Sequence, residues 1–154
     1  MSGKPWLKFY PEGIPPSLEY EDIPLPDTLR NTAQKYPDRV ALHFMGYEMT
    51  FKQLYEAVLK LANYLRELGI EKGDRVAIML PNTPQAVISF YGVLFAGGVV
   101  VETNPMYTER ELAYQLKDSG AKAIIALEIL YPRIKRVEGE TDLEHIIITA
   151  IKDY

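Results

Sequence analysis

The sequence predicts an α/β protein with a three-layer, doubly wound and mostly parallel sheet, preceded by a small N-terminal hairpin and a proline-rich arm. From residue 73 onwards, apolar runs of strand length alternate with segments of helical periodicity, which is typical of successive β-α-β units. Such crossovers join parallel strands and are right-handed. The apolar runs lack polar alternation, as expected for strands that are covered on both faces.

Composition limits the classes of function. The chain has 154 residues, of which 47% are hydrophobic and 25% charged, as in a globular protein rather than a disordered one. Seventeen Lys and Arg against twenty-one Asp and Glu give a net charge of −4, so no basic surface favours nucleic acid. There is no cysteine, which excludes disulfides, thiol nucleophiles and Cys-based metal sites.

The first 26 residues differ from the rest because prolines interrupt regular structure there. Aromatic residues among these prolines indicate an arm that packs on a protein surface. Packing on its own domain is the simpler interpretation, and packing on another subunit is the alternative. No apolar core of a secretory signal is present, and the most apolar stretch, 86–101, is too short to span a bilayer. The aromatic residues are Trp6, Phe9, Tyr10 and Tyr20.

A short helix and a hairpin follow the arm. Asp27 is a candidate cap for a helix that runs to Tyr36 and is ended by Pro37. Two short runs of strand-forming residues then flank a glycine, which is typical of a hairpin. The predicted strands are 40–45 and 48–50, joined by a turn at Gly46-Tyr47.

The next helix is the clearest element in the sequence. Thr50 and Gln53 have the spacing of a capping box, in which each side chain bonds the other residue's backbone N–H. Apolar residues recur at spacings of four and three, and Gly69 is a left-handed stop. The apolar stripe is Leu54, Val58, Leu61, Leu65 and Leu68.

The second half supplies the predicted parallel sheet. One helix is capped by Asn82 or Thr83, has Pro84 in its first turn and ends at Gly97-Gly98. Another runs from a second capping box, Thr108–Glu111, to Gly120. A shorter helical piece, 128–137, is interrupted by Pro132. The predicted strands are 75–80, 99–101, 121–127 and 145–149.

Common catalytic patterns are missing from the sequence. It contains no G-x-x-x-x-G-K-[ST], G-x-G-x-x-G or G-x-S-x-G motif. His43 and His145 are both predicted in strands, where a structural role is the simpler interpretation. Two acidic groups are interpreted as solvated loops: Glu19, Glu21 and Asp22, and Glu138, Glu140, Asp142 and Glu144.

One loop is a candidate for ligand binding. Residues 103–107 follow a buried strand and precede a capped helix, and ligands of open α/β sheets bind outside the carboxyl ends of strands. The alternative is a turn whose Asn-Pro pair only fixes the local geometry.

Three runs of the sequence, 50–55, 73–85 and 96–112, resemble the N-terminal part of acyl-CoA synthetases of the adenylate-forming superfamily. The segments Lys4-Pro-Trp-Leu, Leu94-Phe-Ala-Gly-Gly and Thr103-Asn-Pro-Met-Tyr resemble bacterial long-chain fatty-acid–CoA ligases in particular. In that family a fatty acid reacts with ATP, assisted by Mg²⁺, to an acyl-adenylate, and the acyl group then passes to CoA.

The family's phosphate loop, magnesium ligand, ribose-binding aspartate and C-terminal lysine do not occur in this sequence. The resemblance therefore implies an arm (1–26) followed by a truncated N-terminal α/β subdomain of an AMP-binding domain (27–154), an incomplete part of a larger enzyme. It implies that this chain holds no catalytic residue, is inactive alone, and binds none of ATP, CoA or Mg²⁺ without the remainder. The one expected contribution is a loop near the CoA pantetheine route: Thr103, Asn104, Pro105, Met106 and Tyr107.

The resemblance further implies the remainder of the ligase chain as a partner, a fatty-acid substrate and a homodimer. It implies a cytoplasmic enzyme whose membrane contact is at most peripheral, at the inner face. Two alternatives remain open: a non-catalytic dimerisation or scaffold module, and a fragment of another adenylate-forming enzyme such as an aryl-CoA ligase.

Overall fold

The computed structural model describes residues 4–154, which form two sheets and five helices together with short 3₁₀ turns. The helices are α1 (Leu25–Lys35), α2 (Phe51–Glu67), α3 (Pro84–Ala96), α4 (Glu109–Ser119) and α5 (Tyr131–Val137). The strands are β1 (Val40–Phe44), β2 (Tyr47–Thr50), β3 (Arg75–Met79), β4 (Val99–Glu102), β5 (Ala121–Leu127) and β6 (His145–Thr149).

The larger sheet has the order β4-β3-β5-β6, and all its strands are parallel. The chain moves from β3 through α3 to β4, and then through α4 and α5 in the opposite direction across the sheet. Because crossovers are right-handed, this reversal puts α3 on one face of the sheet and α4 and α5 on the other. The predicted three-layer, doubly wound fold is therefore confirmed.

The core lies on both faces of this sheet. Val76 and Ile124, on neighbouring strands, are both fully buried, as are Leu112 and Leu116 of α4. The helix α2 packs on α3 in an outer position. Gly92 allows this close approach, since a Cβ at that position would lie 2.8 Å from Cδ2 of Leu61.

The hairpin β1-β2 turns at Met45-Gly46, one residue earlier than the predicted Gly46-Tyr47. Both residues have positive φ, 48° for Met45 and 90° for Gly46, which is the conformation that a two-residue primed hairpin turn requires. The prediction of the turn was wrong because a methionine at positive φ carries no sequence signal.

A second apolar cluster joins the hairpin to α1, α2 and α3. It orients the hairpin beside the first turns of α3, and this packing positions the cleft described below. Its buried members are Leu29, Met49, Leu54, Val58 and Ile88.

Two helices that carry a proline in the first turn differ from prediction at their boundaries. The helix α1 starts at Leu25, and Asp27 forms an ion pair with Arg30 at 2.5 Å instead of capping the helix. Pro132 does not interrupt a helix, since it lies in the first turn of α5, where the missing N–H is not needed. A 3₁₀ turn at Glu128–Leu130 precedes α5.

The arm does not pack on its own domain. Apart from a 3₁₀ turn at Pro5–Phe9, residues 4–24 have no helix or strand. Trp6 is 53% exposed, Phe9 77% and Tyr20 83%. The simpler interpretation of the arm was therefore wrong, because the aromatic side chains find no groove among the described residues.

The strand β6 forms one edge of the large sheet. Within residues 4–154 it pairs with β5 alone, so its outer row of backbone groups has no partner strand there. Ile148 on this strand is 38% exposed.

Candidate functional site

The carboxyl edge of the parallel sheet carries the candidate site. The loop after β3 leads to α3 on one face, while the loop after β5 leads to α5 on the other. The winding therefore reverses between the carboxyl ends of these two neighbouring strands, and ligands of such sheets bind at this reversal. The 103–107 loop lies beside it, at the carboxyl end of β4.

The first residue of this loop is fixed to the sheet. The Thr103 N–H donates to the carbonyl of Ile78 at 3.0 Å, and its hydroxyl donates to the carbonyl of Val101 at 3.1 Å. Thr103 is 3% exposed, so its hydroxyl is directed inward and is used for structure.

The next four residues form a tight turn. The side-chain oxygen of Asn104 accepts the Met106 N–H at 2.9 Å, and the Asn104 carbonyl accepts the Tyr107 N–H at 3.0 Å. Pro105 lies at the second position of the turn, which suits its fixed φ. Met106 is 82% exposed at the tip. The backbone of the loop therefore forms the turn that Asn104-Pro105 predicted. Met106 is the side chain that this turn exposes to solvent.

The loop is anchored from two helices. On α5, one guanidinium nitrogen of Arg133 donates to the carbonyls of Pro105 at 3.0 Å and Tyr107 at 2.6 Å. On α4, the Gln115 amide donates to the carbonyl of Glu102 at 2.9 Å, just before the loop. Sequence analysis missed Arg133 because the contact joins residues 26 and 28 positions apart.

At the N-terminus of α4, the Glu111 carboxylate of the helix itself accepts the hydrogen bonds that an anion would otherwise take. The predicted capping box is present: the Glu111 N–H donates to the Thr108 hydroxyl at 3.4 Å, and the Glu111 carboxylate accepts from the Thr108 N–H at 2.8 Å. Hydrogen bonds from the N–H and hydroxyl of Thr108 lower the pKa of Glu111. This negative charge, with Glu109 in the same turn, does not fit a nucleotide phosphate.

A cleft of about 620 Å³ opens between the hairpin, the turn after β3 and the first turns of α3. Sequence analysis missed it, because it forms only when the hairpin packs beside α3. Thr83 precedes α3, but its hydroxyl makes no capping bond and is buried without a partner. Most of the cleft is apolar, and its polar lining residues are His43, Asn82, Thr83 and Glu102.

The two histidines do not form a joint site. His43 lies in β1 of the hairpin and His145 in β6 of the parallel sheet, so the prediction that both lie in strands is confirmed. Across residues 4–154, no group of three or more His, Asp or Glu could hold a metal ion. Over the same range, no helix is long and apolar enough to cross a bilayer.

Comparison with known proteins identifies relatives of this fold. A family model described as "AMP-binding enzyme" matches residues 29–153. The chain is 48% identical over 153 residues to the long-chain-fatty-acid–CoA ligase of Bacillus subtilis (strain 168), covering 99% of this chain and 27% of that protein. The chain thus spans about a quarter of the length of the curated relatives that it matches.

Solved structures agree with this result. A long-chain-fatty-acid-CoA ligase from Archaeoglobus fulgidus superposes with a TM-score of 0.79 at 26% identity, covering 90% of this chain and 30% of that one. An anthranilate CoA ligase in complex with anthranoyl-AMP superposes with a TM-score of 0.80 at 28% identity, covering 86% of this chain and 27% of that one. The chain belongs to the AMP-binding enzyme family and matches the N-terminal part of its long-chain fatty-acid–CoA ligases.

Proposed function

We propose that this chain is the N-terminal part of a ligase that joins long-chain fatty acids to CoA. In the reaction, a carboxylate oxygen of the fatty acid attacks the α-phosphorus of ATP and pyrophosphate leaves. The CoA sulfur then attacks the acyl carbonyl, and AMP leaves. The supporting observation is the 48% identity to a long-chain ligase over 99% of the chain, against 37% identity to a 2-succinylbenzoate–CoA ligase over 72% of it.

The proposed contribution of this chain is structural support for the site. Mg²⁺ supplies charge neutralisation on the phosphates in such reactions. Within residues 4–154 no group of acidic side chains or histidines could hold this ion. The carboxylates of Glu109 and Glu111 at the N-terminus of α4 would in turn repel the phosphates. We expect the groups that hold ATP and Mg²⁺ to lie elsewhere in the longer ligase.

The assay is fatty-acid-dependent exchange between ATP and pyrophosphate by the full-length ligase. Exchange that is faster with palmitate than with anthranilate or benzoate is expected. Preference for an aromatic acid would replace this proposal with the aryl-CoA ligase alternative. The isolated 154-residue chain serves as the control and should give no exchange, and clear exchange by it would contradict the proposed division of the site.

We infer in addition that the 103–107 loop borders the route of the pantetheine arm of CoA. The turn carries no charged side chain, and Met106 extends from it into solvent. An uncharged surface of this kind suits the amide-linked pantetheine chain better than the phosphates of CoA.

Replacing Asn104 and Met106 by alanine in the full-length ligase tests this role. We expect the KM for CoA to rise about tenfold, which corresponds to about 1.4 kcal/mol, with unchanged ATP–pyrophosphate exchange. Met45→Ala is the matched control, because Met45 is equally exposed (83%) but lies in the hairpin turn. An unchanged KM for CoA would remove the loop from the CoA route.

A second function, dimerisation, is favoured by the exposed aromatic residues of the arm. Trp6, Phe9 and Tyr20 keep 53%, 77% and 83% of their surface exposed among residues 4–154, and large exposed apolar groups mark interaction surfaces. Light scattering of the full-length ligase with and without residues 1–26 tests this. Halving of the mass is expected, and an unchanged mass would exclude the arm from the dimer.

For the whole ligase we expect a cytoplasmic location with at most peripheral contact with the inner face of the membrane. The long-chain fatty-acid substrate is apolar and partitions into membranes, which would bring the enzyme to the lipid surface. Co-sedimentation of the full-length ligase with lipid vesicles, with and without added fatty acid, measures that contact. Firm binding that resists salt would contradict it.

A further inference from the structure

We propose that Arg133 is a positioning residue, which holds the 103–107 turn in the shape needed for transfer of the acyl group to CoA. The consequence for CoA rests on the function proposed above for this loop. The positioning itself rests on contacts that are independent of any ligand.

Arg133 contacts the turn on both sides of its tip. A single nitrogen of the Arg133 guanidinium donates to the carbonyls of Pro105 and Tyr107, at 3.0 and 2.6 Å. These two carbonyls flank Met106, the residue at the exposed tip. One cation therefore fixes the backbone on both sides of the residue that extends outward, and charged donors make stronger bonds than neutral ones.

The position of Arg133 in the fold connects two segments that are distant in the sequence. It lies in the first turn of α5, directly after β5 and its 3₁₀ turn. The loop that it holds follows β4, and β3 lies between these two strands in the sheet. Arg133 thus links the segments that leave two non-adjacent strands, across the carboxyl end of β3, beside the point where the winding reverses.

The turn depends on Arg133 for these bonds. The internal bonds of the turn engage the N–H groups of Met106 and Tyr107 and leave the carbonyls of Pro105 and Tyr107 free. Within residues 4–154, Arg133 is the donor that both carbonyls find. Loss of the guanidinium would leave two partly buried acceptors without a protein partner, which favours other conformations of the turn.

The same helix offers a matched control. Arg136 lies one turn later on α5, is exposed, and pairs with Glu109 of α4 at 2.5 Å without reaching the loop. Arg136→Met removes a cation from the same helix, whereas Arg133→Met removes the two bonds to the turn. Because a single nitrogen of Arg133 makes both bonds, Arg133→Lys keeps a charged donor that can serve both carbonyls, and it is the rescue variant.

The experiment uses the full-length ligase and two readouts. Hydrogen exchange of the peptide containing Met106 and Tyr107, measured without ligand, is expected to accelerate about tenfold in Arg133→Met. The KM for CoA is expected to rise several-fold while ATP–pyrophosphate exchange is unchanged. Arg133→Lys should recover most of both effects, and Arg136→Met should show neither. Unchanged exchange of the β5 amides checks that the variant is folded.

Unchanged hydrogen exchange of the loop in Arg133→Met would overturn the positioning role. Faster loop exchange with an unchanged KM for CoA would overturn the link to acyl transfer if the Asn104 and Met106 variants do raise that KM. If those variants leave it unchanged as well, the proposed CoA role of the loop has failed, and Arg133 is then rejected as a residue of the reaction.

Discussion

The arm and the parallel sheet are both rich in large apolar residues, but they use them in opposite ways. In β3, the four residues from Val76 to Met79 are at most 1% exposed, because neighbouring strands and helices cover both faces. In the arm, Trp6 and Phe9 are 53% and 77% exposed. Apolar residues are therefore buried where a repeating pattern creates a matching surface, and their abundance alone does not bury them.

The largest effect on stability is expected from a cavity in the core of the sheet. Leu116 of α4 is fully buried, so Leu116→Ala should lower the free energy of unfolding by about 2–5 kcal/mol. Urea unfolding of the 154-residue chain measures this. Tyr114→Ala on the same helix is the control, since Tyr114 is 71% exposed. Equal losses in both variants would mean that α4 does not pack as described.

Adding side-chain volume between α2 and α3 tests how closely the two helices pack. Gly92→Val should cost about 1–3 kcal/mol, because the new side chain meets Leu61. Gly139→Ala is the control, as a Cβ there has no neighbour within 4 Å. Thermal or urea unfolding gives the values, and a Gly92→Val variant as stable as the parent would contradict the close approach of the two helices.

Single hydrogen bonds at the helix caps have a smaller expected effect on stability. Thr108→Ala removes the cap of α4 and should cost about 1 kcal/mol. Thr83→Val is the matched control, since the Thr83 hydroxyl precedes α3 but caps nothing and has no partner. We expect a change within about 0.5 kcal/mol for that control in urea unfolding. A larger loss for Thr83→Val than for Thr108→Ala would reverse this assignment.

Low pH should weaken the hydrogen bond and ion pair that Asp74 makes at the amino end of the sheet. The Asp74 carboxylate accepts the Glu71 N–H at 2.9 Å and pairs with Lys122 of β5 at 2.9 Å, and these bonds lower the pKa of Asp74. A carboxyl with a lowered pKa stabilises the fold at neutral pH, and this contribution is lost as the pH falls through the folded value. Asp74→Asn should therefore destabilise the chain at pH 7 and cost less below pH 4.

Urea unfolding at pH 7 and at pH 3 measures this difference. Asp118→Asn serves as the control, because Asp118 is exposed and takes part in no ion pair within residues 4–154. A destabilisation by Asp74→Asn that is the same at both pH values would show that the charge of this carboxylate does not matter.

The smallest effect is expected in the arm. Tyr20→Ser should change the free energy of unfolding by less than about 0.5 kcal/mol, because Tyr20 is 83% exposed. Urea unfolding at low protein concentration measures it. A loss comparable to that of Leu116→Ala would mean that the arm packs on its own domain after all, as the simpler interpretation held.

Much of the sheet could be predicted from sequence because its signals are local. The bounds of β5 and β6 were predicted to the residue, since β5 follows the helix-ending Gly120 and β6 follows the acidic segment 138–144. Both capping boxes are present where their spacing indicated. Local chemistry and burial point to the same structure at these positions.

The candidate site was only partly predictable. The 103–107 loop follows from its place after a strand, and its turn follows from Asn104-Pro105. Arg133 and the cleft beside α3 depend on how distant segments pack, which no short pattern encodes. The arm was misjudged for a related reason, since composition shows that aromatic residues are present but not which surface receives them.

The open edge of β6 has a practical consequence for every measurement on the isolated chain. Unpaired backbone groups along an edge are a template for a strand from a neighbouring molecule, and the exposed Ile148 adds an apolar contact there. We expect pairing of molecules through this edge to grow with protein concentration. Dilute samples, compared over a tenfold range, are therefore the conditions in which an unfolding curve describes a single molecule.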